Sequence, residues 1–217
     1  MRCIFCKEDS TSSKSSEHII PESLGNTEHT LPCGVVCDRC NNYFGRKVEG
    51  EIQQSDMIRL LKADREIPNK EGKVPSVEEV NSFELPKSRL MSRFVGKVAL
   101  EALADRLIPH PEWEEEVIDK PALDSLREYT RYDRGETWPF LYRTIYPVNA
   151  IFEQNGTRYE VLHEYDLLYT EGRELYIVLI LFGAEFALNL GGRSTDGYRR
   201  WLEENDFVSP LYSETNA

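Results

Sequence analysis

All five cysteines of this 217-residue chain, Cys3, Cys6, Cys33, Cys37 and Cys40, fall within its first 40 residues, and four of them form two C-x-x-C pairs. Two such knuckles present four thiolates tetrahedrally to one zinc ion, so Cys3, Cys6, Cys37 and Cys40 are expected to form a closed structural site with no position open to substrate. The stretch between the pairs, residues 7–36, is 30 residues long. That exceeds the commonest zinc-ribbon spacing, so something is built inside it. A disulfide framework fits poorly with an odd cysteine count, with confinement to one end and with an N-terminus that carries no apolar run of the signal-peptide kind. A redox C-x-x-C belongs between a strand and a long helix in a βαβ unit, and neither pair sits in that pattern. Cys33 is expected as a small buried residue beside the site rather than a fifth ligand. A head of about 50 residues with few large apolar side chains buries little core, so metal binding is expected to supply much of its folding free energy.

Inside the loop runs SSEHIIPESLGN, in which Ser16 to Ile20 reads as a short strand, and Pro21 with Gly25 forces a turn before a second strand at GVVC. After Cys37, DRCNNYFGRKVEGEIQQSDMIRLLKAD has helical character, with Phe44, Val48 and Ile52 at four-residue spacing. Gly45 and Gly50 lower helix propensity there, so a break is expected near them. The order is strand, strand, helix, pinned by zinc.

Cys-x-x-Cys, then Glu-His-Ile-Ile-Pro, then Cys-x-x-Cys-Asn-Asn, in this order and spacing, resembles the HNH endonuclease family, the zinc-stabilised branch of the ββα-metal (His-Me finger) nucleases. The resemblance covers roughly residues 1 to 50. It implies that Glu17 and Asn41 hold one catalytic divalent ion, Mg²⁺ or Mn²⁺, and that His18 acts as general base on a water. It also implies that Asn26 orients the histidine, although its spacing to the second cysteine pair departs from the common pattern. Many members have Asp where this chain has Glu17, and many end the motif with His where Asn41 stands here, with Asn42 as an alternative ligand. Neighbours in an extended strand point to opposite faces, so Glu17 and His18 serve one site only at a strand end or bend. Arg39, Arg46 and Lys47 are candidates for contact with nucleic-acid phosphate, and a solvated helix face explains them equally well.

Beyond the head, residues 67–86 carry prolines, a glycine and mixed charge, and read as a linker. SRLMSRFVGKVALEALADRLI then predicts an amphipathic helix with Leu90, Phe94, Val98 and Ala102 on its apolar stripe, and residues 112–129 add a more acidic helix. After Gly135 the aromatic and β-branched segments WPFLYRTIYPVNAIFE, TRYEVLHEYDLLY, ELYIVLILFG and AEFALNLGG, separated by Asn155-Gly156 and Glu171-Gly172, predict an antiparallel sheet. The long helix is expected across one face of it, with a short closing helix at DGYRRWLEEN. The fold class is therefore α+β: a ββα-metal module with a four-cysteine zinc site over residues 1–55, a helix end and linker over 56–86, and a C-terminal α+β domain over 87–217.

The net charge is −12, but residues 1–50 hold six Lys and Arg against seven Asp and Glu, so nearly all the excess lies beyond the head. An almost neutral head on an acidic body steers weakly toward polyanions, and a metal ion would have to screen phosphate. No apolar run is long enough to span a bilayer, and a cytoplasmic location with no membrane partner is expected. The resemblance makes DNA the expected substrate and defence or restriction the expected setting, with a homodimer expected if both strands are cut. Two other readings stand: a non-catalytic zinc-knuckle module that binds nucleic acid or protein, and an RNA-directed or toxin-like nuclease.

Overall fold

The computed structural model describes residues 1–26, 28–69, 72–76, 86–145, 152–154, 157–159 and 163–212. It divides into two compact units, Met1–Trp138 and Pro139–Ala217.

The first unit opens with a tight knuckle in which the Cys3 amide donates to Glu8 O at 2.9 Å and the Lys7 amide to Cys3 O at 2.9 Å, with Lys7 at φ 61°. A two-stranded antiparallel ladder follows, β1 (Glu17–His18) on β2 (Thr30–Leu31), pairing Glu17 with Leu31 and His18 with Thr30. The second strand is thus not at GVVC. That run follows Pro32 and contains Gly34 at φ 93°, so it turns into Cys37 while burying Val35 and Val36. Cys37 caps α1 (Asp38–Phe44), which continues through a widened π turn (Gly45–Glu49) into α2 (Gly50–Gln53), followed by α3 (Asp56–Asp64). The break expected at the glycines is this π turn. The Gly50 amide donates to Gly45 O, five residues back, and a Cβ on Gly50 would lie 2.9 Å from that oxygen. The helical periodicity survives it, and Phe44, Val48 and Ile52 are all fully buried.

Helix α4 (Ser88–Leu107) is buried at every position from Met91 to Ala104, not along one stripe. It runs through the middle of the unit, packed by α5 (Trp113–Val117), α6 (Asp124–Tyr132), α2 and the π turn. Large apolar side chains on such a helix each contribute about 1.5–3 kcal/mol by burial. The division between units falls after Trp138, not at the expected boundary near residue 86. The physical reason is that polar side chains of α4 and α6 reach back into the cysteine-bearing head, as described below. The parts of residues 67–86 that are described contain no helix or strand.

The second unit is a four-stranded antiparallel sheet in the order β3 (Leu141–Thr144), β8 (Ala184–Asn189), β7 (Leu175–Leu181), β6 (His163–Tyr169), with a separate ladder of β4 (Phe152–Gln154) and β5 (Thr157–Tyr159). The Asn155-Gly156 turn lies outside the described residues. The closing helix α7 (Asp196–Glu204) lays Tyr198 and Leu202 on Leu141, Tyr176, Val178 and Ala187. Tyr176 and Phe186 of the sheet and Tyr198 of α7 are fully buried, while Tyr142 and Tyr169 of the sheet are exposed. The long helix α4, expected on this sheet, belongs instead to the first unit. Among the described residues no helix is long and apolar enough to cross a membrane.

Candidate functional site

The knuckle after β1–β2 and the knuckle at the N-terminus converge. Ligand atoms of Cys3, Cys6, Cys37 and Cys40 all lie within 4.8 Å of one another, and Cys6 Sγ is 3.7 Å from Cys37 Sγ. Four sulfurs at about 2.3 Å from a tetrahedral zinc stand roughly 3.8 Å apart, so this cluster fits the ion. Among the described residues it is the one group of three or more His, Cys, Asp or Glu side chains arranged to hold a metal. Two donors reach its sulfurs. The Cys37 amide donates to Cys3 Sγ at 3.3 Å, and Arg131 Nε on α6 donates to Cys40 Sγ at 3.1 Å. Hydrogen bonding from Cys40 pushes the Cys3 thiol down to about 5, and Cys40 is raised in turn. Arg131 also lies 3.8 Å over the Tyr43 ring, which in turn takes a hydrogen bond from Arg93 on α4 to its hydroxyl at 2.6 Å. Cys33 is exposed, against expectation, and is not one of the four; its thiol points to Lys14 O at 3.5 Å.

The first turn of α1 clamps the chain leading into β1. Asp38 Oδ1 accepts from the Ser15 hydroxyl at 2.6 Å and from the Lys14 and Ser15 amides at 3.1 and 3.0 Å. These bonds hold the Asp38 carboxyl below its ordinary range. One turn later Asn41 Nδ2 donates to Ser16 O at 3.2 Å, the carbonyl directly before Glu17, which leaves Asn41 Oδ1 for another ligand. Asn42 instead bonds its own helix, donating to Asp38 O at 2.8 Å. The cysteine cluster therefore anchors the start of α1, and α1 holds the approach to β1.

On β1 itself the two neighbours diverge as the strand geometry requires. Glu17 is buried on the Leu31 side, 5% exposed, and its Oε2 has no hydrogen-bond partner. His18 is half-buried, with Nδ1 enclosed and unbonded. Asn26, fully buried, makes its bonds to backbone: Nδ2 donates to Ile20 O at 2.7 Å and His29 O at 3.3 Å, and Oδ1 accepts from the Glu28 and His29 amides at 3.0 and 3.1 Å. It braces the turn that follows His18 and does not touch the imidazole. In donor chemistry the orphaned Glu17 oxygen and the Asn41 amide oxygen suit a hard divalent cation.

What sequence reasoning missed lies opposite Glu17. Lys97 Nζ, fully buried on α4, stands 2.8 Å from Glu17 Oε1, 2.8 Å from Glu49 Oε1 on the π turn and 2.9 Å from Glu101 Oε2. It also donates to His18 O at 2.8 Å and Ile19 O at 3.4 Å. An ammonium has three protons, so five oxygens exceed its capacity, and Glu49 Oε1 and both Glu101 oxygens indeed lack a hydrogen bond. Burial opposes the charge on Lys97, but Glu101, Glu17 and Glu49 together outweigh it and hold the ammonium protonated. Burial raises Glu101 well above the carboxylate range, Lys97 pulling against this and Glu17 and Glu49 adding to it. Glu17 is raised too, first by burial. In sequence, Lys97 and Glu101 look like a surface i,i+4 pair, and nothing local marks them as interior.

Arg46 and Lys47 are exposed on the π turn. Arg39 is exposed as well, and a hydrogen bond to the Cys6 sulfur raises its guanidinium, so it faces the cysteine centre. The family described as HNH endonuclease matches residues 3–57, the segment that carries the cysteine cluster and β1. No curated protein matches the chain. No solved structure matches it either.

Proposed function

We propose that the chain is a metal-dependent endonuclease of the HNH type that hydrolyses phosphodiester bonds in DNA. The observation that carries this reading is the end of β1, where a half-buried His18 with no hydrogen bond to its ring adjoins Glu17 with an orphaned oxygen, and Asn41 is tied to the preceding carbonyl. A ring nitrogen without a protein partner can take the proton of an attacking water. Asn26 and the Ser16–Asn41 bond hold the backbone on either side of that ring, so the base is presented without reorganisation. Glu17 Oε2 and Asn41 Oδ1 would hold Mg²⁺ or Mn²⁺, which when bound supplies electrostatic stabilisation of the phosphorane-like transition state and of the leaving oxygen. Arg46 and Lys47, exposed one turn beyond α1, would meet the nucleic-acid backbone. Zinc in the cysteine centre has a structural role only. A setting in restriction or phage defence agrees with this activity, and cleavage of both strands would require a homodimer, detectable by light scattering.

One observation favours a second reading, a zinc-knuckle module without catalysis: Glu17 is almost wholly buried and its other oxygen faces Lys97. The two readings separate in a plasmid assay. Supercoiled DNA is incubated with wild type, Glu17→Gln and Asn41→Ala, all checked for zinc, in Mn²⁺, in Mg²⁺ and in EDTA. The nuclease reading expects nicking that EDTA abolishes and a half-maximal Mn²⁺ concentration raised about tenfold or more in both variants, as loss of one ligand implies. Equal cleavage by all three proteins in EDTA would overturn it. Cleavage of RNA but not DNA would move the substrate assignment to the RNA-directed alternative.

A further inference from the structure

We propose that Lys97, which lies outside the family-matched segment, is a positioning residue of the nuclease site: its ammonium fixes the carboxylate of Glu17 and the backbone of His18 together. The proposal rests on the nuclease reading above. Three observations support it. The ammonium is held at a fixed place, because Lys97 projects from the middle of a helix buried from Met91 to Ala104. Two of its donors go to His18 O and Ile19 O, the carbonyl of the candidate base and the next one along. A lysine present only to neutralise acid would have no need of strand carbonyls, since three carboxylates already surround it. Finally, its contact with Glu17 Oε1 sets the direction in which Oε2, the oxygen without a partner, points. One side chain thus holds the metal-ligand candidate by its carboxylate and the base candidate by its main chain. Asn26 braces the same strand end from the other direction, at Ile20 O.

The test uses the zinc-loaded full-length chain. Lys97→Met is compared with wild type for Mn²⁺-dependent plasmid nicking and for the imidazole ¹H–¹⁵N signals of His18, assigned by their loss in His18→Ala. Because removal of the ammonium leaves buried acids unpaired, a second variant, Lys97→Met/Glu49→Gln/Glu101→Gln, removes it together with two of the acids around it. The proposal expects zinc to be retained, kcat to fall about 100-fold, as loss of sub-ångström alignment does, and KM for plasmid to stay within about threefold. It also expects the His18 ring signals to shift while those of His29 and His110 do not. A folded, zinc-loaded variant with wild-type kcat overturns it. If wild type cleaves nothing, the nuclease reading fails by itself, and the ring signals still decide on Lys97: unchanged His18 signals overturn the positioning role, and shifted ones support it.

Discussion

The cysteine centre and the Lys97 cluster are both buried polar groups of the first unit, yet one offers ligands to a cation and the other carries its own. In the first, the sulfurs of four cysteines from two short knuckles lie within 4.8 Å of one another. In the second, three acids from β1, the π turn and α4 surround one ammonium from α4 itself, two more than its charge can balance. Stability of the head should therefore depend on zinc in an all-or-none way, and on the lysine cluster in a graded and pH-dependent way. The contrast also shows why the head is not a separable domain here. The cysteine cluster gathers it locally, while α4 and α6 complete its interior with Lys97, Arg93 and Arg131.

The largest effect should come from Cys40→Ser. Structural zinc contributes about 10 kcal/mol or more to folding of small zinc modules, so the variant should lose zinc and the near-UV circular dichroism of the first unit. A native spectrum without bound zinc would remove the all-or-none half of the comparison. Next in size is Lys97→Met. Breaking a buried ion pair from one side costs about 3–5 kcal/mol, and urea unfolding at neutral pH should show that loss with zinc still bound. A smaller loss would mean that the cluster is wetter than its burial indicates.

A third prediction concerns the excess acid. Glu101 is raised in the folded state by burial, so its contribution to stability is complete below the ordinary carboxyl value of 4.5 and is lost as pH rises through its folded value. Wild type should lose stability over that rise relative to Glu101→Gln, whose amide mimics the protonated acid. Urea midpoints across pH 4 to 8 measure the difference, and parallel curves would contradict it. The smallest effect is expected from Lys120→Ala. Lys120 pairs with Glu116 at 2.7 Å with the same i,i+4 spacing as Lys97 and Glu101, but both partners are about half exposed. Such pairs contribute about 0.3–0.5 kcal/mol, so thermal unfolding should scarcely move.

That last pairing explains how far the sequence could be read. The cysteine cluster was legible because its ligands come as local knuckles whose spacing encodes their geometry. The β1 strand was legible from the β-branched pair Ile19–Ile20 before Pro21. GVVC misled because a short apolar run is equally a strand or a buried turn, and Pro32 with Gly34 chose the turn. The proline-bearing stretch 67–86 resembled a domain linker, although the helices that follow it pack into the head. Lys97 was invisible for the reason Lys120 was unremarkable: an i,i+4 Lys–Glu pair carries no local mark of burial. Only the enclosure of α4 on all sides distinguishes the two. Cys33 was expected to be buried because a free cysteine usually packs as a small apolar residue, and it is exposed.

The most direct test of the account is the single-turnover rate of Mn²⁺-dependent nicking by His18→Ala, measured against wild type with zinc content matched. A positioned general base contributes about 10²–10⁴-fold. A loss of that size in a folded, zinc-loaded variant is the predicted result, and a rate equal to wild type would contradict the assignment of β1 as the catalytic strand.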